Sequence, residues 1–139
     1  MKHNLILRVI VKFFFPVIAL FAFYVQFHGD YGPGGGFQAG VLLSVAFIFY
    51  ALIFGLKTTE LVMPAWVLRV LASSGILIYA GTGVATMLLG GNFLDYDLLS
   101  KVPVQGQHIG IIVIELGVGM TVYSTMLIIF YAFAGKGKP

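Results

Sequence analysis

Apolar residues fall into four long runs along this chain, separated by short segments that hold most of the glycine, proline and charged residues. The runs cover about residues 5–27, 37–56, 65–90 and 106–133. Each is close to or above the roughly 20 residues that an α-helix needs to cross the hydrocarbon core of a bilayer. The pattern predicts an all-α membrane protein in which residues 1–139 form a single domain of four transmembrane helices.

The segments between the runs predict loops. Residues 28–36 contain five glycines and a proline, which disfavour regular structure. The polar segment Lys57–Glu60 predicts a short loop, and residues 92–105 predict the longest one. Pro16 lies inside the first run and predicts a kink, which membrane helices tolerate. That run is too long for a signal peptide and no small-residue cleavage site follows it, so we expect a retained helix.

Composition supports the membrane assignment. Hydrophobic residues make up 60% of the chain, charged residues make up 9%, and the mean hydropathy is +1.02. These values exclude a soluble enzyme and a nucleic-acid-binding protein. The chain has no cysteine, so it cannot hold a disulfide, an iron–sulfur cluster or a thiolate zinc site. Its three histidines lie far apart in sequence, and we therefore predict no metal site and no cofactor.

The charges are divided unevenly between the two sides of the predicted bundle. One side holds seven basic residues: Lys2, Arg8, Lys12, Lys57, Arg69, Lys136 and Lys138. The other side holds Lys101 together with Asp30, Asp95 and Asp97. Cytoplasmic loops of membrane proteins carry an excess of Lys and Arg. The sequence therefore predicts that both termini are cytoplasmic and that the glycine-rich and acidic loops face outward.

The glycine-rich segment is the most unusual feature of the sequence. Pro33 restricts one φ angle, whereas glycine permits positive φ and a close approach of backbones. Gly36 and Gly40 form a G-x-x-x-G pair, which lets two membrane helices touch closely. The candidate structural motif comprises Gly32, Pro33, Gly34, Gly35, Gly36, Phe37 and Gly40. We expect it to form an ordered turn or a packing surface, with a bare linker or a direct ion contact as alternatives.

The string from Asp30 to Gly40, DYGPGGGFQAG, resembles the signature of the B subunit of multisubunit Na+/H+ antiporters of the Mrp or Mnh type. The resemblance implies a multi-pass protein of a prokaryotic cytoplasmic membrane. It implies a complex with the A, C, D, E, F and G subunits that exchanges Na+ for H+, in which this chain has no enzymatic domain. Related subunits also occur in membrane-bound hydrogenases, so a membrane component of such an ion-translocating redox complex is the alternative.

Glu115 is an acidic residue inside the fourth apolar run. It lies six residues after Ile109, which places it roughly 9 Å along the helix from that residue. A carboxylate inside the membrane costs several kcal/mol unless it is paired, hydrated or protonated, and such residues often mark ion paths. The alternative is a structural carboxyl that is hydrogen-bonded to a neighbouring helix.

His108 and Asp30 complete the candidate ion path. His108 precedes Glu115 by seven residues and shares its helical face. Asp30, with His28, Asp95 and Asp97, is expected to form an acidic vestibule that concentrates cations. The alternatives are an ordinary interfacial histidine and ordinary solvated charges in the loops.

Overall fold

The computed structural model describes residues 5–135 as an all-helical chain. The helices are α1 (Leu5–His28), α2 (Gly36–Phe54), α3 (Leu56–Val62), α4 (Ala65–Leu88) and α5 (Pro103–Gly135). A short 3-10 helix, Tyr96–Leu99, lies between α4 and α5. Within the described residues, the four longer helices are long and apolar enough to cross a membrane. The predicted all-α class and the count of four spans are thus confirmed.

One local prediction differs from the structure. The segment Lys57–Glu60 is not a loop but part of α3. Gly55, at φ 97, separates α2 from α3 without the steric cost that a side chain would add. Lys and Glu favour helix, so the polar segment continues as a short helix until the turn before Pro64. Pro16 lies inside α1, and the helix continues through it.

Helix α5 is longer than the apolar run that predicts it. It begins at Pro103 and has 33 residues, so it is about 50 Å long at 1.5 Å per residue. Proline suits the first helical position because the N–H that it lacks would have no intrahelical partner there. A bilayer core is only about 30 Å thick, so both ends of α5 extend beyond it or the helix is tilted.

The long helices form a row in the order α1, α2, α5 and α4. Glycines allow close contact on both sides of α5. A Cβ on Gly40 of α2 would lie 2.7 Å from the carbonyl oxygen of Gly119, and a Cβ on Gly117 would lie 2.8 Å from that of Gly75 on α4. Gly81 of α4 makes no such contact, because a Cβ there would meet open space.

The two ends of the row differ in charge. At one end, which we name the basic end, the Arg8 guanidinium lies 5.2 Å and the Lys12 ammonium 5.6 Å from the centre of the Phe54 ring. Lys57 on α3 and Arg69, near the start of α4, belong to the same end. The acidic end holds the α1–α2 loop and the 3-10 helix, and thus Asp30, Asp95, Asp97 and Lys101. Lys2, Lys136 and Lys138 lie outside the described residues.

Candidate functional site

The glycine loop, residues 29–35, packs directly on the carboxylate of Glu115. A Cβ on Gly29 would lie 2.5 Å from Oε1 and 2.6 Å from Oε2 of Glu115, and a Cβ on Gly35 would lie 2.8 Å from Oε1. Real Cβ atoms do not come this close to another heavy atom, so a side chain at either position would displace the Glu115 carboxylate, and at Gly29 its Cβ would also lie 2.7 Å from the Cα of Gly35. The two features that the sequence presents separately, the glycine motif and the acid within the fourth span, therefore form one site.

Backbone hydrogen bonds fold the glycine loop over the end of α1. The N–H of Gly35 donates to the carbonyl of Val25 at 3.1 Å, and those of Tyr31 and Gly32 donate to His28 at 3.0 and 3.1 Å. Gly35 adopts φ +118, which favours glycine. The predicted ordered turn is thus present.

The remaining motif residues play different parts in this turn. A Cβ on Gly34 would lie 2.8 Å from the carbonyl oxygen of Val25, and one on Gly32 would lie 3.1 Å from the His28 ring. Pro33 is exposed on the outer side of the turn. Phe37, at the start of α2, is 63% exposed. The motif therefore combines an inner surface of backbone with an outward aromatic ring.

The start of α2 touches the backbone of α5 beside Glu115. A Cβ on Gly36 would overlap the carbonyl oxygen of Glu115. No side chain caps the N-terminus of α2, and a helix leaves its first N–H groups without intrahelical partners. These groups carry the positive end of the helix dipole, which favours a nearby negative charge. The packing thus places the positive end of the α2 dipole near the Glu115 carboxylate, where it favours the negative charge.

Asp30 and His108 form a hydrogen-bonded pair at the acidic end, between Asp30 Oδ2 and His108 Nδ1. The Asp30 side chain is only 6% exposed, whereas that of His108 is 47% exposed. The Tyr31 ring stacks on His108 with 6.3 Å between ring centres. Since Asp30 follows Gly29 in the chain and His108 lies on the Glu115 face of α5, the structure brings all three predicted ion-path residues to one region.

Two other members of the predicted acidic vestibule, His28 and Asp97, have separate partners. His28 stacks on Tyr24, with 5.2 Å between ring centres, and Asp97 accepts a 2.8 Å hydrogen bond from Gln107. Burial, and to a lesser extent the nearby Tyr79, raises the pKa of the Tyr96 phenol above its ordinary value, so this ring adds no charge at neutral pH. Within residues 5–135, no three His, Cys, Asp or Glu side chains converge on a metal-sized site.

Gln26 is a site residue that the sequence analysis does not identify. Its Oε1 atom would lie 2.5 Å from a Cβ on Gly119, so the carboxamide occupies the space that this glycine leaves one turn beyond Glu115. The signal in the sequence is a single amide near the end of the first apolar run. Among the hydrogen bonds of residues 5–135, none joins the Glu115 carboxylate to a neighbouring helix, whereas the Thr121 hydroxyl further along α5 donates to the carbonyls of Gly117 and Ala72.

Comparisons with known proteins agree with the resemblance carried by the glycine motif. A family model described as a domain related to the MnhB subunit of Na+/H+ antiporter matches residues 6–128. The B subunit of the Na(+)/H(+) antiporter of Bacillus subtilis (strain 168) is 29% identical over 134 residues, covering 89% of this chain and 93% of its own length. The putative antiporter subunit mnhB2 of Staphylococcus aureus (strain Newman) is 32% identical over 139 residues, covering 97% of this chain and 98% of its own. The family match extends over most of the chain and includes both the glycine loop and Glu115, so this protein belongs to the MnhB family of antiporter-subunit domains.

Proposed function

We propose that this chain is an accessory membrane subunit of a multisubunit Na+/H+ antiporter, a secondary transporter that couples Na+ efflux to H+ influx. The names of its relatives support this function over the hydrogenase alternative. The expected partners are the bilayer and the A, C, D, E, F and G subunits of the antiporter. The division between a basic and an acidic end supports cytoplasmic termini and an acidic end outside the cell.

We further propose that Glu115 lies on the ion path of this complex. The observation that carries this proposal is the glycine loop wrapped around the carboxylate, which leaves backbone groups and the start of α2 as its nearest neighbours. Among residues 5–135, no Lys or Arg forms a salt bridge with Glu115. A carboxylate without a fixed counter-ion binds either a proton or a cation, and competition between the two is what an exchange of Na+ for H+ requires.

Depth supports the same role. The midpoint of α5 is about Gly119, and Glu115 lies four residues towards the acidic end, or roughly 6 Å from the midpoint. His108 lies eleven residues from the midpoint, or roughly 16 Å, close to the edge of a core about 30 Å thick. The Asp30–His108 pair would then stand at the entrance and Glu115 about two turns further in.

The test replaces Glu115 with Gln, which keeps the shape of the side chain but removes its charge and its ability to bind a proton. We expect the complex to assemble with normal recovery of its subunits, whereas Na+-dependent antiport in membrane vesicles falls or requires more Na+. The matched control is Glu60→Gln, which changes the same residue type on α3 at the basic end. If the Glu115→Gln complex keeps the parent rate, Na+ affinity and pH profile, Glu115 is not on the ion path and serves assembly alone.

A further inference from the structure

Two cations of the basic end converge on one aromatic ring. The Arg8 guanidinium and the Lys12 ammonium lie 5.2 and 5.6 Å from the centre of the Phe54 ring. The two residues are four apart on α1, and like charges at this spacing destabilise a helix. The ring and the negative end of the α2 dipole beside it offset part of this repulsion, but neither carries a full negative charge. The pair is therefore suited to bind an anion.

No acid of this chain fills that role within residues 5–135. Glu60 on α3 is the one acidic residue at the basic end in this range, and it forms no salt bridge with either cation. Arg8 and Lys12 are both exposed, so a group from outside the chain can reach them. Helix α2 has 19 residues and is about 29 Å long, close to the thickness of a bilayer core. Its last residue, Phe54, and the two cations beside it therefore lie at the level where lipid headgroups begin.

A cavity of about 210 Å³ lies next to the two cations, between α1, α2 and α3. Its lining is mostly apolar and consists of Phe15, Phe47, Tyr50, Thr59 and Val62. Phe15 follows Arg8 by seven residues and Lys12 by three, so the three side chains share one face of α1. The Tyr50 ring stacks on Phe54 with 4.5 Å between ring centres. The cations and the cavity therefore form one continuous surface, charged at the edge of the membrane and apolar further in.

We propose that the basic end binds one anionic phospholipid, with its phosphate group between Arg8 and Lys12 and one acyl chain in the cavity. A guanidinium suits this headgroup, because its parallel N–H groups donate to two phosphate oxygens at once. A free anion would leave the apolar cavity unfilled, and a neutral phospholipid would bring no net charge to the pair. Basic pockets between membrane helices bind acidic headgroups for the same reasons. The site depends neither on the role of Glu115 nor on transport.

Photolabelling in membranes that contain the assembled complex tests this site. The probes are phosphatidylglycerol and phosphatidylcholine, each with the same photoactivatable group in one acyl chain, and mass spectrometry of this chain locates the adducts. We expect the phosphatidylglycerol probe to label α1 and α3 around Phe15 and Val62. Unlabelled phosphatidylglycerol should compete with it, whereas unlabelled phosphatidylcholine should not. Equal labelling by the two probes, or no adduct on these helices, would overturn the proposal.

Two sets of variants separate the headgroup from the acyl chain. Arg8→Gln combined with Lys12→Gln should weaken binding of the phosphatidylglycerol probe roughly 25-fold, or about fivefold for each cation that is lost. Its control is Arg69→Gln, which removes one cation of the same end from α4, away from the cavity, and should leave this labelling unchanged. Val62→Phe keeps both cations but fills part of the cavity, so it should also reduce labelling. Leu61→Phe, on the same helix but outside the cavity lining, should not.

The variants also separate a lipid from a protein partner. If the double variant is labelled as strongly as the parent, the cations do not hold the lipid and the proposal is wrong. If the parent gives no adduct on α1 or α3 and the double variant loses partner subunits, the cations bind an acidic side chain of a neighbouring subunit, which also excludes the lipid site. Labelling and competition on the parent chain need no variant, so they decide the question even where the double variant is recovered poorly.

Discussion

Gly36 at the start of α2 lies directly against the backbone carbonyl of Glu115 on α5, so closely that a single Cβ would overlap that oxygen. The glycine motif therefore allows a short distance between α2 and α5 as well as a turn. It lets one helix begin at the point where another carries its acid, and it places the loop that precedes the helix over the carboxylate. Packing and chemistry depend on the same few backbone atoms.

Gly36→Ala should push α2 away from α5. The overlap with the Glu115 carbonyl involves backbone on both sides, so neither partner can move without shifting a helix, and overpacking of this kind costs about 1–3 kcal/mol or more. We expect poor recovery of this chain with the complex and weak antiport. Gly81→Ala is the control, because a Cβ there meets open space and alanine favours helix by about 1 kcal/mol over glycine. Equal recovery of both variants would contradict the close contact.

The Asp30–His108 pair should stabilise the acidic end. His108→Ala leaves a carboxyl that is only 6% exposed without its partner, at a cost of about 1–3 kcal/mol. Asp30→Asn retains an acceptor oxygen for the ring and should cost less. Thermal unfolding of the purified complex measures both, and His28→Ala provides the control because His28 stacks on Tyr24 instead of bonding to an acid. A larger loss in His28→Ala than in His108→Ala would contradict this role for the pair.

Phe37 should contribute to assembly and not to the fold of this chain. Its ring is 63% exposed although it directly follows the glycine loop, and aromatic residues are enriched where partner subunits meet. We expect Phe37→Ala to reduce the amount of partner subunits recovered with this chain and, in proportion, the antiport activity. Phe49→Ala, at a ring that is 50% exposed near the other end of α2, is the control. Full recovery of partners with Phe37→Ala would show that lipid alone covers this ring.

The proposed orientation of the two ends in the membrane rests on their charges and is open to direct labelling. Tyr31, at the acidic end, is 79% exposed, and Leu61, on α3 at the basic end, is 85% exposed. In the naturally cysteine-free chain, Tyr31→Cys should react with an impermeant maleimide added outside intact cells, and Leu61→Cys only after the membrane is opened. The reverse pattern would mean that the acidic end faces the cytoplasm.

The number of spans was predictable because each apolar run is long enough to cross a bilayer and is bounded by glycine, proline or charge. The short helix at Lys57 was not predictable, since it depends on Gly55 and Pro64 as boundaries and not on apolar periodicity. The sequence places Asp30 and His108 on the same side of the membrane, but it does not predict that they form a pair. The contact of Gly29 and Gly35 with Glu115 requires knowledge that α2 and α5 are neighbours in the row, which no local pattern contains. For the same reason, no sequence pattern predicts that Gln26 packs against Gly119.

The row of helices has a consequence for how this protein evolves. In a row, every helix leaves two broad sides uncovered by its own chain, and here those sides carry large apolar rings and branched residues. Whatever covers them in the assembled transporter also covers the flanks of the Glu115 site. Substitutions at the positions that a partner subunit covers are therefore constrained by the gene of that subunit. We expect a transplanted homologue from a distant species to fail by itself and to work when its native neighbour is transferred with it.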